Sequence, residues 1–258
     1  MSGNGKFRVY DDEVPEQAEE AYDEIADWYS ARKRDSYEFK IQLPAILNLL
    51  GDLRGKSLID IGCGPGVYSV EFARRGANVI GVDISRKMLD KAMDNAETAN
   101  VRLKFQKADA HSLPYTDESF DVAALILTIL NGQMVEEVAR VLKPSGLLLF
   151  SDTHPIIESK GGWEGNDIGA GRIVEDYFSQ DKGEWRIKPS PGRTITLKYH
   201  TRTKTFEQCV NMIADAGFKI LRIVEPKPGR DVKKSDPVHY DRCSRVPYFI
   251  IYLAQKHM

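Results

Sequence analysis

The sequence is poor in reactive and metal-binding side chains, with 3 cysteines and 5 histidines among 258 residues. Cys63, Cys209 and Cys243 show neither the spacing of a disulfide framework nor that of a zinc site. Their number and scatter fit a reducing compartment. Long apolar runs are missing too. The longest, Val122 to Leu130, is far too short to span a bilayer. The opening residues, MSGNGKFRVYDDEVPEQ, are acidic and lack the apolar core of a secretion signal. Neither an internal repeat nor a low-complexity tract occurs. These absences argue against a stapled secreted domain, a zinc module and a membrane-spanning chain. The expectation they leave is a cytoplasmic protein built as one large α/β domain with an elaboration.

Charge of one sign is scarce only locally. Residues 1–181 hold 20 Lys and Arg against 31 Asp and Glu, and residues 182–258 hold 16 against 7. A basic C-terminal third can serve nucleic acid. The simpler expectation is a pair of oppositely charged faces in one globule, with the acids of the first helix, Glu16, Glu19, Glu20, Asp23 and Glu24, pairing with some of the bases.

What is present is concentrated between Ser57 and Met88, SLIDIGCGPGVYSVEFARRGANVIGVDISRKM. An apolar run ends in Asp60, a glycine-rich loop (Gly62, Gly64, Gly66) follows, and an amphipathic stretch leads to a second apolar run ending in Asp83. This reads as strand, tight loop, helix, strand. Ligands of such sheets bind at the carboxyl ends of the strands, where both acids and the loop lie. An acid about twenty residues beyond the first glycine suits ribose hydroxyls. The register Gly62-x-Gly64-x-Gly66 differs from the G-x-G-x-x-G of dinucleotide folds, with Val67 in the third-glycine place. A pyrophosphate has no use for Asp60 beside it, whereas the ammonium and sulfonium of S-adenosylmethionine do.

IDIGCGPG and VIGVDISRKML resemble the first two motifs of class I S-adenosylmethionine-dependent methyltransferases of the small-molecule type. More of that family's pattern follows in order: Phe105 to Ala110, Ser119 to Val122, and Arg140 to Leu148. The resemblance covers about residues 55–153, with a plausible tail from Thr205 to Val224. It implies a doubly wound, seven-stranded, mostly parallel α/β sheet of Rossmann-like type, with S-adenosylmethionine as cofactor and S-adenosylhomocysteine as product. It further implies that Asp60 and the backbone of Gly62, Cys63, Gly64 and Gly66 hold the methionine part. Asp83 would grip the ribose, with Ile84 and Met88 near the adenine and Ala108, Asp109 and Ala110 at its edge. Leu127 and Thr128 would face the sulfonium and the acceptor. Packing readings stand beside these: Met88 as helix core and Cys63 as a small loop filler. The segment between Asp121 and Leu142 is about four residues shorter than the family's common pattern, so no catalytic residue carries across it.

Four parts are expected: a helical cap (1–54), the cofactor-binding core (55–153), an insertion after the fifth strand acting as a lid (154–204), and the C-terminal part of the core (205–258). Residues 1–14 are expected to fray. Pro15 opens a first cap helix whose Tyr22, Ile25, Ala26 and Tyr29 share one face. YDEIADWY resembles the cap helices of small-molecule methyltransferases, which implies that Tyr22 and Tyr29 close over the cofactor, with core packing as the alternative. The insertion is rich in Gly, Trp and Tyr, which suits a lid, and Tyr177 is its candidate substrate contact. His154, at the mouth of the site, is the candidate general base, with a structural hydrogen-bonding role as the alternative. His200 is a weaker substrate-side candidate, and His111 reads as structural. No metal is expected, although Asp109 and Asp152 together could hold magnesium.

The function these residues point to is methyl transfer to a small molecule, at an oxygen, nitrogen or carbon nucleophile. An RNA methyltransferase would exploit the basic third, yet Thr128-Ile129-Leu130-Asn131 is not the tetrad of amino-group base methylation. A nicotinamide dehydrogenase fails on the glycine register. A non-catalytic cofactor-binding module is the remaining alternative.

Overall fold

The computed structural model describes residues 7–11, 15–33, 35–128, 130–178, 183–190, 193–199 and 204–257. The N-terminal part comprises β1 (Phe7–Asp11), α1 (Pro15–Lys33) and α2 (Tyr37–Leu50). The core follows as β2 (Ser57–Ile61), α3 (Val67–Arg74), β3 (Asn78–Asp83), α4 (Arg86–Thr98), β4 (Lys104–Lys107), β5 (Phe120–Ile126), α5 (Gly132–Val141) and β6 (Leu142–Thr153). The insertion holds α6 (Pro155–Glu158), β7 (Lys160–Glu164), β8 (Gly171–Glu175), β9 (Gly183–Ser190) and β10 (Arg193–Tyr199). The chain closes with α7 (Phe206–Asp215), β11 (Phe218–Val224), α8 (Arg230–Ser235), α9 (Pro237–Arg245) and β12 (Phe249–Lys256).

Seven strands form the central sheet in the order β11-β12-β6-β5-β2-β3-β4. β12 runs antiparallel to both its neighbours, and the remaining pairs are parallel. β2 and β5 are apolar on both faces, as central parallel strands must be when helices cover both sides. One face packs on α5 and α7 through Val135, Val138, Cys209 and Ile213. The other packs on α2 and α3 through Ile46, Leu50, Val67 and Phe72. The strand order reverses between β2 and β5, which opens the crevice at their carboxyl ends.

Two expectations change. The N-terminal segment does not simply fray: β1 pairs in parallel with β10, Phe7 opposite Thr194 and Asp11 opposite Lys198. The insertion, expected as one lid, folds as two hairpins with different anchors. β9–β10 joins β1 in a three-stranded sheet, and its Ile187 and Ile195 pack with Ala21, Ile25 and Ala26 of α1. β7–β8 instead docks on α9, where the Arg242 guanidinium lies 4.7 Å from the Trp163 ring centre and Arg245 donates to the Ala170 carbonyl at 2.7 Å. Helices α8 and α9 had no counterpart in the sequence reading. Asp236 caps α9 and Pro237 opens it, but Cys243 is its one buried residue, so its apolar period is weak.

Candidate functional site

The glycine loop leaves β2 and turns sharply into α3. Gly62 and Gly66 adopt φ of +68° and +72°, a region that side chains with a Cβ enter at a cost. Space excludes a Cβ as well. At Gly62 it would lie 2.5 Å from Thr128 Oγ1, and at Gly66 2.9 Å from both Ala92 Cβ and Phe105 Cζ. Gly66 thus does the packing work of a third loop glycine, one position before the place where dinucleotide folds carry it. Asn95 of α4 ties the loop down by donating to the Pro65 carbonyl at 2.8 Å.

Most of the loop's N–H groups are already taken. Cys63 N–H bonds Val82 O, and Gly66 N–H bonds Cys63 O. Gly64 N–H donates to Asp83 Oδ2 at 2.8 Å. Asp60 accepts from the Ser69 hydroxyl and from the Ser69 N–H in the first turn of α3, so the positive end of this helix already faces an anion. A diphosphate would find few free donors and a buried carboxylate in its place. The Cys63 thiol is buried and pushed well above its usual pKa by that burial, which makes it a filler and not a nucleophile.

The two acids define the electrostatics. Asp60 is 2% exposed, and burial pushes its pKa up to about 7, with the neighbouring Asp83 adding to the rise. Burial lifts Asp83 to about 6, against the N–H groups of Ser85 and Gly64 that hold its charge. Two carboxylates so confined favour a cation beside them.

The edge beyond β4 is equally ordered. Ala108 N–H bonds the Asp83 carbonyl at 3.1 Å. Asp109 Oδ1 accepts from His111 N–H at 2.9 Å and meets His111 Nδ1 at 2.7 Å. Asn131 caps α5 with Oδ1 on Met134 N–H, so its Nδ2 is the group 2.8 Å from His111 Nε2. That places the proton on Nδ1, and His111 links the Asp109 loop to the start of α5. Ala108, Asp109 and Ala110 are all half-buried, as is Ile84. Asp109 and Asp152 do not share a site. They follow β4 and end β6, four strand positions apart, or roughly 19 Å at the usual strand spacing.

Helix α1 lies over this side. Asp23 accepts from the Ser85 hydroxyl at 2.6 Å and from Lys87 N–H at 3.0 Å, adding a second cap to α4. Glu19 pairs with Lys107 at 2.6 Å, Asp27 with Lys91 at 2.7 Å, and Glu24 with Arg193. Tyr22 and Tyr29 pack against a cluster that includes Met88, which is 1% exposed and thus core between the two helices. Tyr29 Cε1 also comes within 3.8 Å of where a Gly64 Cβ would stand, so this ring sits on the loop.

The far side is looser. Leu127 takes φ of +54°, uncommon without a glycine, and Thr128 Oγ1 donates to Ile61 O at 3.3 Å. His154 is buried with both ring nitrogens occupied. Nδ1 accepts from Ile156 N–H at 3.2 Å, capping α6, and Nε2 lies 3.2 Å from Glu225. Burial lowers its pKa and Glu225 opposes the shift. This is the structural role weighed against general-base catalysis. The Tyr177 hydroxyl accepts from Phe206 N–H at 3.0 Å at the start of α7, anchoring the insertion there. His200 lies outside the described residues. Sequence reasoning missed Ser69 and Asp23. A serine in the first turn after the loop and an acid on the cap helix were the available signals.

Residues 58–146 match the family model of a methyltransferase domain. The chain is 37% identical over 123 residues to the demethylmenaquinone methyltransferase of Lactobacillus johnsonii, covering 43% of this chain and 50% of that protein. It is 36% identical over 157 residues to the 27-O-demethylrifamycin SV methyltransferase of Amycolatopsis mediterranei, covering 55% and 57%. The chain thus spans about half the length of these curated relatives. The crystal structure of an S-adenosylmethionine-dependent methyltransferase from Mesorhizobium loti superposes with a TM-score of 0.66 at 23% identity, covering 86% of this chain and 100% of that one. At that identity the likeness speaks for the fold.

Proposed function

Because residues 58–146 form a methyltransferase domain of the class I, S-adenosylmethionine-dependent family, we propose that the whole chain transfers the cofactor's methyl group to a small-molecule acceptor. The observation that carries this reading is the pair of buried acids, Asp60 and Asp83, around a loop whose N–H groups are largely taken. That pocket suits a cationic nucleoside and disfavours a diphosphate.

When bound, S-adenosylmethionine supplies an electrophilic methyl group on a sulfonium. The residues of the chain bind and orient it. Asp83 accepts from the N–H groups of Gly64, Ser85 and Ile84, and its remaining lone-pair capacity is available to a ribose hydroxyl. Asp60 acts from beneath the loop, holding α3 through Ser69 and supplying negative potential toward the cofactor's cationic end. Asp109, with Oδ1 engaged by His111, offers Oδ2 to the adenine amino group. Leu127 and Thr128 flank the acceptor side, and α1 with β9–β10 helps keep water from the nucleoside. The expected source of rate is alignment of acceptor and methyl group in a dry site.

A small acceptor is favoured on two grounds. The relatives named above act on demethylmenaquinone and on 27-O-demethylrifamycin SV. Several bases of the C-terminal third are engaged within the fold, Arg193 with Glu24, Arg242 with Trp163 and Arg245 with Asp241, which supports a small acceptor over a phosphate backbone. The proposed location is the cytoplasm. Among the described residues no helix is long and apolar enough to cross a membrane.

Calorimetry with S-adenosylhomocysteine, S-adenosylmethionine and NAD tests the cofactor. Tritiated cofactor offered to pooled phenols, quinols, amines and tRNA tests the acceptor. Tight NAD binding overturns the first half. Methyl incorporation into tRNA at physiological salt overturns the second, because non-specific binding fades with salt.

A further inference from the structure

Helix α1 and the second hairpin of the insertion form one body. β1 pairs with β10, Ile187 and Ile195 pack against α1, and Glu24 meets Arg193. This body rests lightly on the core. Of the buried members of its apolar cluster, Met88 alone comes from the central domain. Glu19–Lys107 and Asp27–Lys91 cross the same seam, but their side chains are partly or largely exposed, and such pairs contribute little. Asp23 crosses it differently. Its Oδ1 accepts from the Ser85 hydroxyl at 2.6 Å and from Lys87 N–H at 3.0 Å. Hydrogen bonds to a carboxylate are the stronger kind.

Ser85 carries that contact into the glycine loop. It is fully buried, and its Oγ accepts from Met88 N–H at 3.0 Å while donating to Asp23. The hydroxyl's one proton is thereby committed. Ser85 N–H donates to Asp83 Oδ1 at 2.9 Å, and Asp83 Oδ2 accepts from Gly64 N–H at 2.8 Å. Asp23, Ser85, Asp83 and Gly64 thus form one hydrogen-bonded chain from the cap helix to the loop. Ser85 already caps α4 through its own side chain. What Asp23 adds is support from outside the βαβ unit. Without it a buried hydroxyl proton has no acceptor, and the turn that aims Ser85 N–H at Asp83 loses its outer brace.

We propose that Asp23 is a positioning residue for cofactor binding: through Ser85 it fixes the carboxylate of Asp83, so that docking of the cap and gripping of the ribose are one coupled event. This rests on the cofactor reading above and adds the residue that links the cap to it. The coupling runs both ways. A nucleoside that holds Asp83 holds the cap down, and a docked cap presents Asp83 already oriented, which lowers the ordering cost of binding.

The test is a calorimetric cycle with S-adenosylhomocysteine on the full chain, using Asp23→Ala, Asp83→Ala and the double variant. Asp23→Ala is expected to weaken binding about tenfold, the worth of one hydrogen bond to a charged group. In the Asp83→Ala background the same change should cost less than about twofold, because residues that act through one another do not add. Asp23→Asn keeps Oδ1 as an acceptor and should bind within about twofold of wild type. Asp27→Ala removes a surface pair of the same helix and should leave affinity unchanged. Without ligand, amide exchange at Ser85 and Gly64 should quicken in Asp23→Ala and not in Asp27→Ala. Equal loss from Asp23→Ala in both backgrounds overturns the assignment, as does wild-type affinity in Asp23→Ala, unchanged amide exchange, or a failure of Asp23→Asn to restore binding. Should Asp23→Ala not fold, Asp23→Glu, whose carboxylate is displaced by one methylene, takes its place in the cycle with the same expectations. A wild-type chain that does not bind S-adenosylhomocysteine overturns the cofactor reading itself, an outcome distinct from wild-type binding that Asp23→Ala leaves intact.

Discussion

The side of the cleft around the glycine loop, proposed to hold the nucleoside, is built mostly from residues 57–109, whose turns are held by backbone hydrogen bonds and whose acids are held by N–H groups within about twenty residues, with α1 packed over it. The opposite side, proposed to meet the acceptor, gathers Leu127 and Thr128 after β5, His154 after β6, and an insertion whose hairpins are anchored to α1 and to α9. The first side is fixed mainly by hydrogen bonds within one βαβ unit. The second depends on side chains far apart in sequence, so its shape can change without disturbing the loop. One scaffold can thereby keep a fixed cofactor cradle while the opposite wall varies with the acceptor.

The comparison breaks most readily at Gly66. Gly66→Ala places a Cβ at φ of +72° and within 2.9 Å of Ala92 and Phe105. The expected loss is about 2–4 kcal/mol of stability, from left-handed strain plus overpacking. A melt and a denaturant titration measure it. A variant that melts like wild type would show that the loop is not held as rigidly as described.

Asp83→Ala tests the same side by binding. It removes the acceptor for Gly64 and Ser85 N–H and the contact proposed for the ribose. The S-adenosylhomocysteine affinity should fall by about 1.5–3 kcal/mol, as for a hydrogen bond to a charged group. An unchanged calorimetric affinity would move the ribose elsewhere.

A third prediction sharpens the comparison through pH. Burial raises the Asp60 pKa to about 7, above its unfolded value. The folded state therefore holds a proton that the unfolded state has lost, and stability falls as pH rises through that window. Without ligand, Asp60→Asn should gain stability relative to wild type between pH 4 and 7, with no further gain above. It should also bind S-adenosylmethionine more weakly at pH 8, where wild-type Asp60 is ionised. A gap between the two melting curves that ignores pH would sink this account.

The smallest effect is expected on the far side. His154→Ala removes the cap of α6, at a cost of about 0.5–2 kcal/mol, and His154→Asn restores most of it. Methyl transfer by His154→Asn should remain near wild type. Loss of turnover with an unchanged melting temperature would instead return His154 to the role of general base.

How much was legible follows the same division. The positions of Asp60, the glycine loop, Asp83 and Asp109 at the carboxyl ends of β2, β3 and β4 could be read because a strand–loop–helix–strand unit places its acids at fixed short spacings. The cap helices were readable from Pro15, Ser36 and Gly51 at their ends. The pairing of β1 with β10 was not, because a strand of five residues declares no partner and its mate lies about 180 residues away. The helix α9 had its Asp-Pro start but too little apolar period to stand out.

The sequence by itself determined the alternation of strands and helices from β2 to β6 and the acidic glycine loop within it, since each rests on neighbours within about twenty residues. Tertiary structure alone decided that Met88 is core, that His154 has both nitrogens engaged, that the insertion divides between two anchors, and that Gln42 is left with a free donor. A side chain's partners are fixed by packing between distant segments. A histidine or glutamine reads the same in the sequence whether its hydrogen bonds are complete or one is unmade.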